Sequence, residues 1–136
     1  MLVGGDDFLD GGDGNDILSG DRDNDIILGQ AGNDTLYGAT DPQANACSWC
    51  DPPDPSVINE PGNDSLDGGG GNDWIDAAAG IDLVVGGAGN DFINGGFGHD
   101  RVNGGADADR FYHQGVLGHG SDWIQDFSDT EGDMLV

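Results

Sequence analysis

Aspartate recurs at intervals of nine residues through most of the 136-residue chain, and each time it ends a short stretch rich in glycine. The segment Gly11-Gly12-Asp13-Gly14-Asn15-Asp16 shows the pattern, and 68–73 and 86–91 repeat it. A short carboxylate at the same place in every repeat supplies a hard oxygen donor, which is the donor type that cations such as Ca²⁺ take. Cation binding is therefore the chemistry that these residues predict.

The charge balance supports this interpretation. The chain has 27 Asp+Glu against 3 Lys+Arg, a formal net charge of −24, and no lysine. Such a chain does not bind nucleic-acid phosphates or an anionic membrane through its charge. High charge with few bulky apolar residues is typical of disorder, unless bound cations supply the missing folding energy. No run of 18 apolar residues predicts a membrane span, and no Sec-type leader is recognisable.

The repeat also predicts the fold. Position eight of each nine-residue unit is apolar, which indicates a three-residue strand whose middle side chain points inward, and the six residues before it form a turn. Two units make one 18-residue coil, and about five stacked coils give an all-β protein with two parallel sheets around one apolar ladder. The apolar residues are Leu9, Leu18, Ile27, Leu36, Leu66, Ile75, Val84, Ile93, Val102 and Phe111.

The unit Gly-Gly-x-Gly-x-Asp-x-apolar-x resembles the nonapeptide of the RTX (repeats-in-toxin) calcium-binding β-roll. The resemblance covers residues 2–112 apart from an insert, and it implies a parallel β-roll, a right-handed β-solenoid. It implies Ca²⁺ between the turns, bound by position-six carboxylates and by carbonyls near positions one to four. The predicted metal residues are Asp7, Asp16, Asp25, Asp34, Asp64, Asp73, Asp82, Asp91, Asp100 and Asp109, with Gly12, Gly14, Gly32, Gly69, Gly71, Gly87, Gly89 and Gly105.

Alternate units place their turns on opposite edges of the roll, so the ligands divide into two rows. The Asp16 edge, with Asp16, Asp34, Asp73, Asp91 and Asp109, keeps the repeat pattern in every turn. The Asp7 edge, with Asp7, Asp25, Asp64, Asp82 and Asp100, is interrupted by Arg22, by Ala77-Ala78-Ala79, by His99 and by the insert. We expect about four calcium ions on the Asp16 edge, a weaker or partly empty row on the other, and four to eight ions in all.

The insert, residues 40–61, contains all five prolines and both cysteines of the chain, a composition that predicts a loop. Cys47 and Cys50 have three interpretations. A thioredoxin-like redox site would need a βαβ context, and a zinc site would need two further ligands. A local disulfide or a free pair that stiffens the loop is the favoured one, and Trp49 is a candidate contact for a partner or glycan.

Residues 113–136 follow the last repeat and are similar to the segment that closes the roll in serralysin-type proteases and mannuronan epimerase R-modules. We expect the apolar side chains Trp123, Ile124, Phe127, Met134 and Leu135 to cover the open end. Asp122, Asp126 and Asp133 are interpreted as turn and cap residues, one of them placed to complete the last calcium site. The ending 133–136 also resembles an uncleaved type I export signal. The domains are thus 1–112, the roll, and 113–136, its cap.

No motif indicates catalysis. The chain contains neither H-E-x-x-H nor G-x-S-x-G, and His99, His113 and His119 lack partners at triad spacing. We therefore predict no catalytic residue and no enzyme activity.

Outward positions seven and nine predict a partner surface. On one sheet they carry Tyr37, Trp74, Phe92 and Tyr112, and on the other Phe8, Ile26, Leu28, Leu83 and Val85. Such apolar surface marks docking onto a companion domain, or carbohydrate stacking on the aromatic rings. The function predicted is a calcium-dependent folding module of an extracellular, type I secreted bacterial protein. The alternatives are a carbohydrate-binding module of a secreted enzyme and a spacer in an adhesin or surface-layer protein.

Overall fold

A computed structural model describes residues 5–20, 23–38, 62–112, 121–128 and 130–136. Arg22, the insert 40–61 with its cysteines, and both His113 and His119 lie outside the described residues.

The described residues form strands and turns, as the nine-residue period predicts. In the described ranges, no helix has the length and apolar character that crossing a membrane would need. The strands, in chain order, are β1 Phe8–Asp13, β2 Ile17–Ser19, β3 Ile26–Ala31, β4 Thr35–Tyr37, β5 Ser65–Gly70, β6 Trp74–Asp76, β7 Ala79–Gly80, β8 Leu83–Ala88, β9 Phe92–Asn94, β10 Phe97–Gly98, β11 Arg101–Ala106, β12 Arg110–Tyr112, β13 Trp123–Ile124 and β14 Met134–Leu135.

The strands build two six-stranded parallel sheets. Sheet A has the order β1-β3-β5-β8-β11-β13, and sheet B has the order β14-β12-β9-β6-β4-β2. Residues in neighbouring coils pair at a spacing of 18, as Leu9 does with Ile27. Across the insert the spacing becomes 39, since Ile27 pairs with Leu66 and the register of the side chains is kept. The chain is therefore a parallel β-solenoid of about five turns, which confirms the predicted fold class.

A single ladder of position-eight side chains fills the space between the sheets. Ile27, Leu36, Ile75 and Val84 are fully buried, and Leu9 and Leu18 are partly buried at the first coil. Each inward side chain packs on its neighbours one coil away. Strands β2, β4, β6, β9 and β12 of sheet B have the three residues that the sequence predicts. Strands β1, β3, β5, β8 and β11 of sheet A have six, and they extend into positions one to three, which the sequence assigned to a turn. The core is one side chain thick, so a coil is stable only when it packs against a neighbouring coil.

The C-terminal segment continues both sheets. β13 pairs with β11, placing Ile124 beside Val102, and β14 pairs with β12, placing Leu135 beside Phe111. The Phe127 ring lies 6.1 Å from the Phe111 ring. Leu135 nevertheless remains 60% exposed, since no described strand follows it. These residues form a further, degenerate coil on the last repeat coil, where Val102 and Phe111 are 4% and 3% exposed.

Positive φ angles recur in the turns, at positions two and four of the repeat. Glycine occupies most of these sites, as in Gly12 and Gly14, because it adopts this conformation without steric cost. Four described residues other than glycine also have positive φ, and each strains its turn. They are Asp23, Gln30, Ala78 and Asp107.

Replacing Gln30 by glycine is expected to stabilise the calcium-loaded protein. Gln30 has φ 79° at position two of its turn and an exposed side chain. A left-handed L-residue costs about 1–2 kcal/mol, partly offset by the larger entropy of glycine in the unfolded chain, so the net gain is about 0.5–1 kcal/mol. Chemical denaturation at saturating calcium measures it. Gln30→Ala is the control, and an equal gain there would refute the backbone explanation.

Candidate functional site

The position-six carboxylates form a hydrogen-bonded ladder along each edge of the roll. On the Asp16 edge the backbone N–H of Asp16 donates to Asp34 Oδ1 at 2.8 Å, and that of Asp34 donates to Asp73 Oδ1 at 2.7 Å. The same bond joins each coil to the next on both edges. The remaining pairs are Asp73–Asp91, Asp91–Asp109, Asp7–Asp25, Asp25–Asp64, Asp64–Asp82 and Asp82–Asp100.

Both ladders end on the C-terminal segment. The N–H of Asp109 donates to Asp133 Oδ1 at 2.9 Å, and the N–H of Asp100 donates to Asp122 Oδ1 at 3.3 Å. Asp122 and Asp133 directly precede β13 and β14, so each stands where a repeat has its position-six residue. Sequence interpretation assigned one such acid to the last site, whereas the structure places one at the end of each row.

In nine of the ten position-six aspartates of the repeats, the second carboxylate oxygen has no hydrogen-bond partner. Nine Oδ2 atoms are buried and accept no hydrogen bond, an arrangement that costs free energy unless a cation compensates it. Each carries negative charge in a gap between turns, and oxygen is the donor that Ca²⁺ requires. The site therefore fits calcium. The nine residues are Asp7, Asp16, Asp25, Asp34, Asp73, Asp82, Asp91, Asp100 and Asp109.

Glycine at position one makes room for this oxygen. A Cβ on Gly29 would lie 2.6 Å from Asp34 Oδ2 and 2.5 Å from the carbonyl oxygen of Gly68 in the next coil. Carboxylate and carbonyl oxygens thus converge beside a backbone that has no side chain. Gly11, Gly68 and Gly86 repeat the arrangement along the Asp16 edge. These position-one glycines were not among the predicted metal residues, although the repeat shows them.

The predicted glycines at positions two and four bring neighbouring coils together. A Cβ on Gly32 would collide with the carbonyl oxygen of Gly14, and one on Gly71 with that of Gly32. The described turn therefore stacks closely only with glycine at these places. A Cβ would meet a carbonyl oxygen of the preceding coil in the same way at Gly69, Gly87, Gly89 and Gly105. In the first full turn, a Cβ on Gly12 or Gly14 would have no neighbouring atom within 4 Å.

Burial raises the pKa of seven of the position-six carboxyls, those of Asp25, Asp64, Asp73, Asp82, Asp91, Asp100 and Asp109. Desolvation is the largest cause, opposed by the backbone N–H bond at Oδ1 and increased by neighbouring aspartates. The pKa of Asp82 rises to about 8 and that of Asp91 to about 7. The pKa values of Asp64, Asp100 and Asp109 rise to about 6. Without a cation, these groups hold protons at pH values where an exposed aspartate is ionised.

A second ladder runs along the turns at position five, and sequence interpretation missed it. The N–H of Asn33 donates to Asn15 Oδ1 at 3.0 Å, and that of Asn72 donates to Asn33 Oδ1 at 2.7 Å. The recurrence of asparagine before the aspartate was the available signal. On the Asp7 edge this ladder runs from Asn63 to the N–H of Ile81 and is interrupted there, because the isoleucine side chain has no acceptor. It resumes at His99, whose Nδ1 accepts the N–H of Ser121 at 3.1 Å.

The Asp7 edge uses other side chains to hold its turns. Asp76 Oδ1 accepts bonds from the N–H of Ala78 at 3.3 Å and from Asn94 Nδ2 at 3.1 Å. Asn94 Oδ1 in turn accepts the N–H of Gly96 at 3.1 Å. The turns at 77–82 and 95–100 are thus fixed partly by protein hydrogen bonds, where the Asp16 edge has regular glycine turns.

Three of the four predicted partner-surface residues lie together on sheet B. The rings of Trp74 and Phe92 stack at 4.2 Å with an interplanar angle of 14°, and Phe92 lies 6.2 Å from Tyr112. Tyr37 is on the same sheet, in β4, where it pairs with Asp76 of β6. On sheet A, Phe8 and Ile26 are adjacent and exposed.

Comparison with known families agrees with this geometry. Residues 3–36, 60–84 and 78–111 match the model of the RTX calcium-binding nonapeptide repeat. No curated protein and no solved structure matches the chain.

Acidification is expected to favour the folded chain in the absence of calcium. The folded-state pKa of Asp82, about 8, lies above the ordinary value of 3.8. Between these values the folded state binds more protons than the unfolded state, so its stability falls as the pH rises. Far-UV circular dichroism in a chelator should show more β structure at pH 5 than at pH 8. Equal or greater β structure at pH 8 would contradict this prediction.

Proposed function

Because the chain belongs to the family of RTX calcium-binding nonapeptide repeats, we propose that it is the calcium-dependent folding module of a type I secreted bacterial protein. Its calcium-binding β-roll serves as a scaffold and has no catalytic role. The observation that carries the proposal is the set of nine buried Oδ2 atoms without a partner, aligned on two edges. A row of cations between the turns neutralises them and joins each coil to the next.

The energy of binding is sufficient for such a role. Extracellular calcium modules have a Kd of about 10⁻⁴–10⁻³ M, and each site saturated tenfold above its Kd adds about 1.4 kcal/mol. Four to eight sites then contribute roughly 6–11 kcal/mol, which is comparable to the total stability of a small domain. The core, one side chain thick, has little else to oppose the repulsion among 24 net negative charges.

The same dependence fits export through a type I machinery. Cytosolic calcium is too low to fill sites of millimolar affinity, so the chain stays unfolded before export and folds outside. Met134 and Leu135 of the candidate export signal pair with β12 in the folded roll. The signal is then accessible in the unfolded chain and becomes part of sheet B after calcium binds. Extracellular localisation follows from this sequence of events.

The two edges are proposed to bind calcium unequally. On the Asp16 edge the position-four N–H of each of the first four turns donates to a carbonyl of the next coil, as Gly32 does to Gly70 at 2.7 Å. On the Asp7 edge Ala77, Ala78 and Ile81 replace glycine and asparagine, and side chains hold the turns instead. The Asp16 edge therefore offers the better-formed row of sites.

The aromatic residues of sheet B favour a structural role over carbohydrate binding. Trp74 and Phe92 stack on each other at 4.2 Å, so one face of each ring is already occupied within the roll. This stack joins neighbouring coils on the outside, much as the core ladder does inside. The calcium module is thus preferred to a carbohydrate-binding module.

Calcium titration monitored by far-UV circular dichroism tests the proposal. We expect a cooperative gain of β signal at about 10⁻⁴–10⁻³ M Ca²⁺ and none with Mg²⁺, which prefers a rigid octahedral site with retained waters. A chain that is fully folded in a chelator at neutral pH, or one that Mg²⁺ folds equally well, would refute calcium-dependent folding.

Matched substitutions on the two edges test their inequality. Asp73→Asn on the Asp16 edge and Asp82→Asn on the other each remove one charge and keep the Oδ1 acceptor. Asp73→Asn is expected to raise the calcium midpoint several-fold, and Asp82→Asn to change it less. Asp10→Asn, on an exposed outward position, is the control for net charge. Equal shifts for the first two variants would show that both rows bind alike.

A further inference from the structure

Position one of the repeat borders a small pocket in the turn, and glycine leaves that pocket free. A Cβ on Gly86 would lie 2.5 Å from Asp91 Oδ2 and would collide with the carbonyl oxygen of Gly104 in the next coil. The same two kinds of oxygen border the Cβ position of four other position-one glycines, which are Gly11, Gly29, Gly38 and Gly68. Each of these pockets therefore offers oxygen donors from two coils to a cation.

Ala77 places a methyl group in the corresponding pocket of the Asp7 edge. Every other described position one of the repeats holds glycine. The N–H of Ala77 donates to the carbonyl oxygen of Asn94 at 3.0 Å, the same bond that the position-one glycine of the preceding coil makes. Because the stacking is unchanged, Asp82 Oδ2 and the Gly95 carbonyl border this pocket. Ala77 is 0% exposed and belongs to the apolar core, so its methyl group fills the pocket and does not point to solvent.

We infer that the pocket beside Ala77 takes no calcium, and that the Ala77 methyl group is what closes it. The row on the Asp7 edge is then divided between the coils 77–94 and 95–112. This assignment rests on the proposed calcium binding and adds to it one place where the roll takes no ion. Calcium needs about six to eight oxygen ligands, whereas a methyl group supplies none and occupies the space between the two oxygens that the ion would contact.

Protein hydrogen bonds join the two coils at the same place. The short strands β7 and β10 pair in parallel, and the N–H of Phe97 donates to the carbonyl oxygen of Ala78 at 2.7 Å. Among the described turns of the Asp7 edge, only these two form such a sheet. Asn94 Oδ1 also accepts the N–H of Gly96 at 3.1 Å, which holds the following turn. The turns that border the closed pocket are thus connected without an ion between them.

The wild-type protein tests the inference without a variant. In crystals grown with CaCl₂, anomalous difference density measured at a long wavelength locates each calcium ion. We expect a peak in the pocket beside Gly86 on the Asp16 edge and no peak in the pocket beside Ala77. A calcium peak beside Ala77, in contact with Asp82 Oδ2, would overturn the inference.

A reciprocal pair of substitutions tests whether the methyl group is the cause. Ala77→Gly empties the closed pocket and is expected to add one calcium ion to the number bound, whereas Gly86→Ala fills a pocket and is expected to remove one. Neither residue has a positive φ, so neither change alters backbone strain. Ala88→Gly removes a methyl group from an exposed position and should leave the number unchanged. Isothermal titration with CaCl₂ counts the ions, and the anomalous density of each variant locates them.

The outcomes separate this inference from the proposed function. A wild-type chain that binds no calcium refutes both. A wild type that binds calcium while Ala77→Gly binds the same number of ions refutes the inference alone, since the methyl group is then not what excludes the ion. If Gly86→Ala does not fold even at saturating calcium, the wild-type crystals and Ala77→Gly decide, because Ala77→Gly only removes atoms from the stack.

Discussion

The rest of this roll depends on one constraint: it buries two rows of carboxylates away from water, and no counter-charge from the described residues lies beside them. Eight of the ten position-six aspartates are at most 5% exposed, against a core only one side chain thick. Removing an ionised carboxylate from water is costly unless it is paired or bound to a metal. The apolar ladder cannot offset several such costs. The proposed calcium dependence of folding follows from this cost, because bound cations, or protons at acidic pH, remove it.

Backbone geometry fixes which oxygen is available. Each Oδ1 is held by an amide of the preceding coil, as in the 2.9 Å bond from Asp73 N–H to Asp91. This bond fixes the orientation of the side chain and leaves Oδ2 facing the gap beside the position-one glycine. The position-five ladder runs in the opposite sense, because Asn72 Oδ1 accepts from the following coil at Asn90. On the Asp16 edge two opposed ladders hold each turn from both sides, so the gap is formed by the stacking itself.

Much of this could be predicted from the sequence because the repeat is short and each position has one structural role. Position eight gives the core and position six gives the carboxylate rows. Departures from the pattern were harder to interpret. Asp76 and Asn94 sit at position nine, where any residue is tolerated, and their bonds to the turns of the Asp7 edge depend on local backbone direction.

At the C-terminal end of the roll, the side chain that ends the sheet also carries a negative charge. The backbone amides of the last turn in a stack of coils have no acceptors from a following coil, so other groups must accept their hydrogen bonds. A neutral acceptor would satisfy Gly104 and Gly105, but Asp126 satisfies both at once and leaves a negative charge next to Asp109. That charge is unfavourable in a cation-free chain and favourable in a calcium-loaded one. The residue that ends the sheet therefore increases the energy difference between the two states, and the dependence on calcium extends to the last described turn of the Asp16 edge.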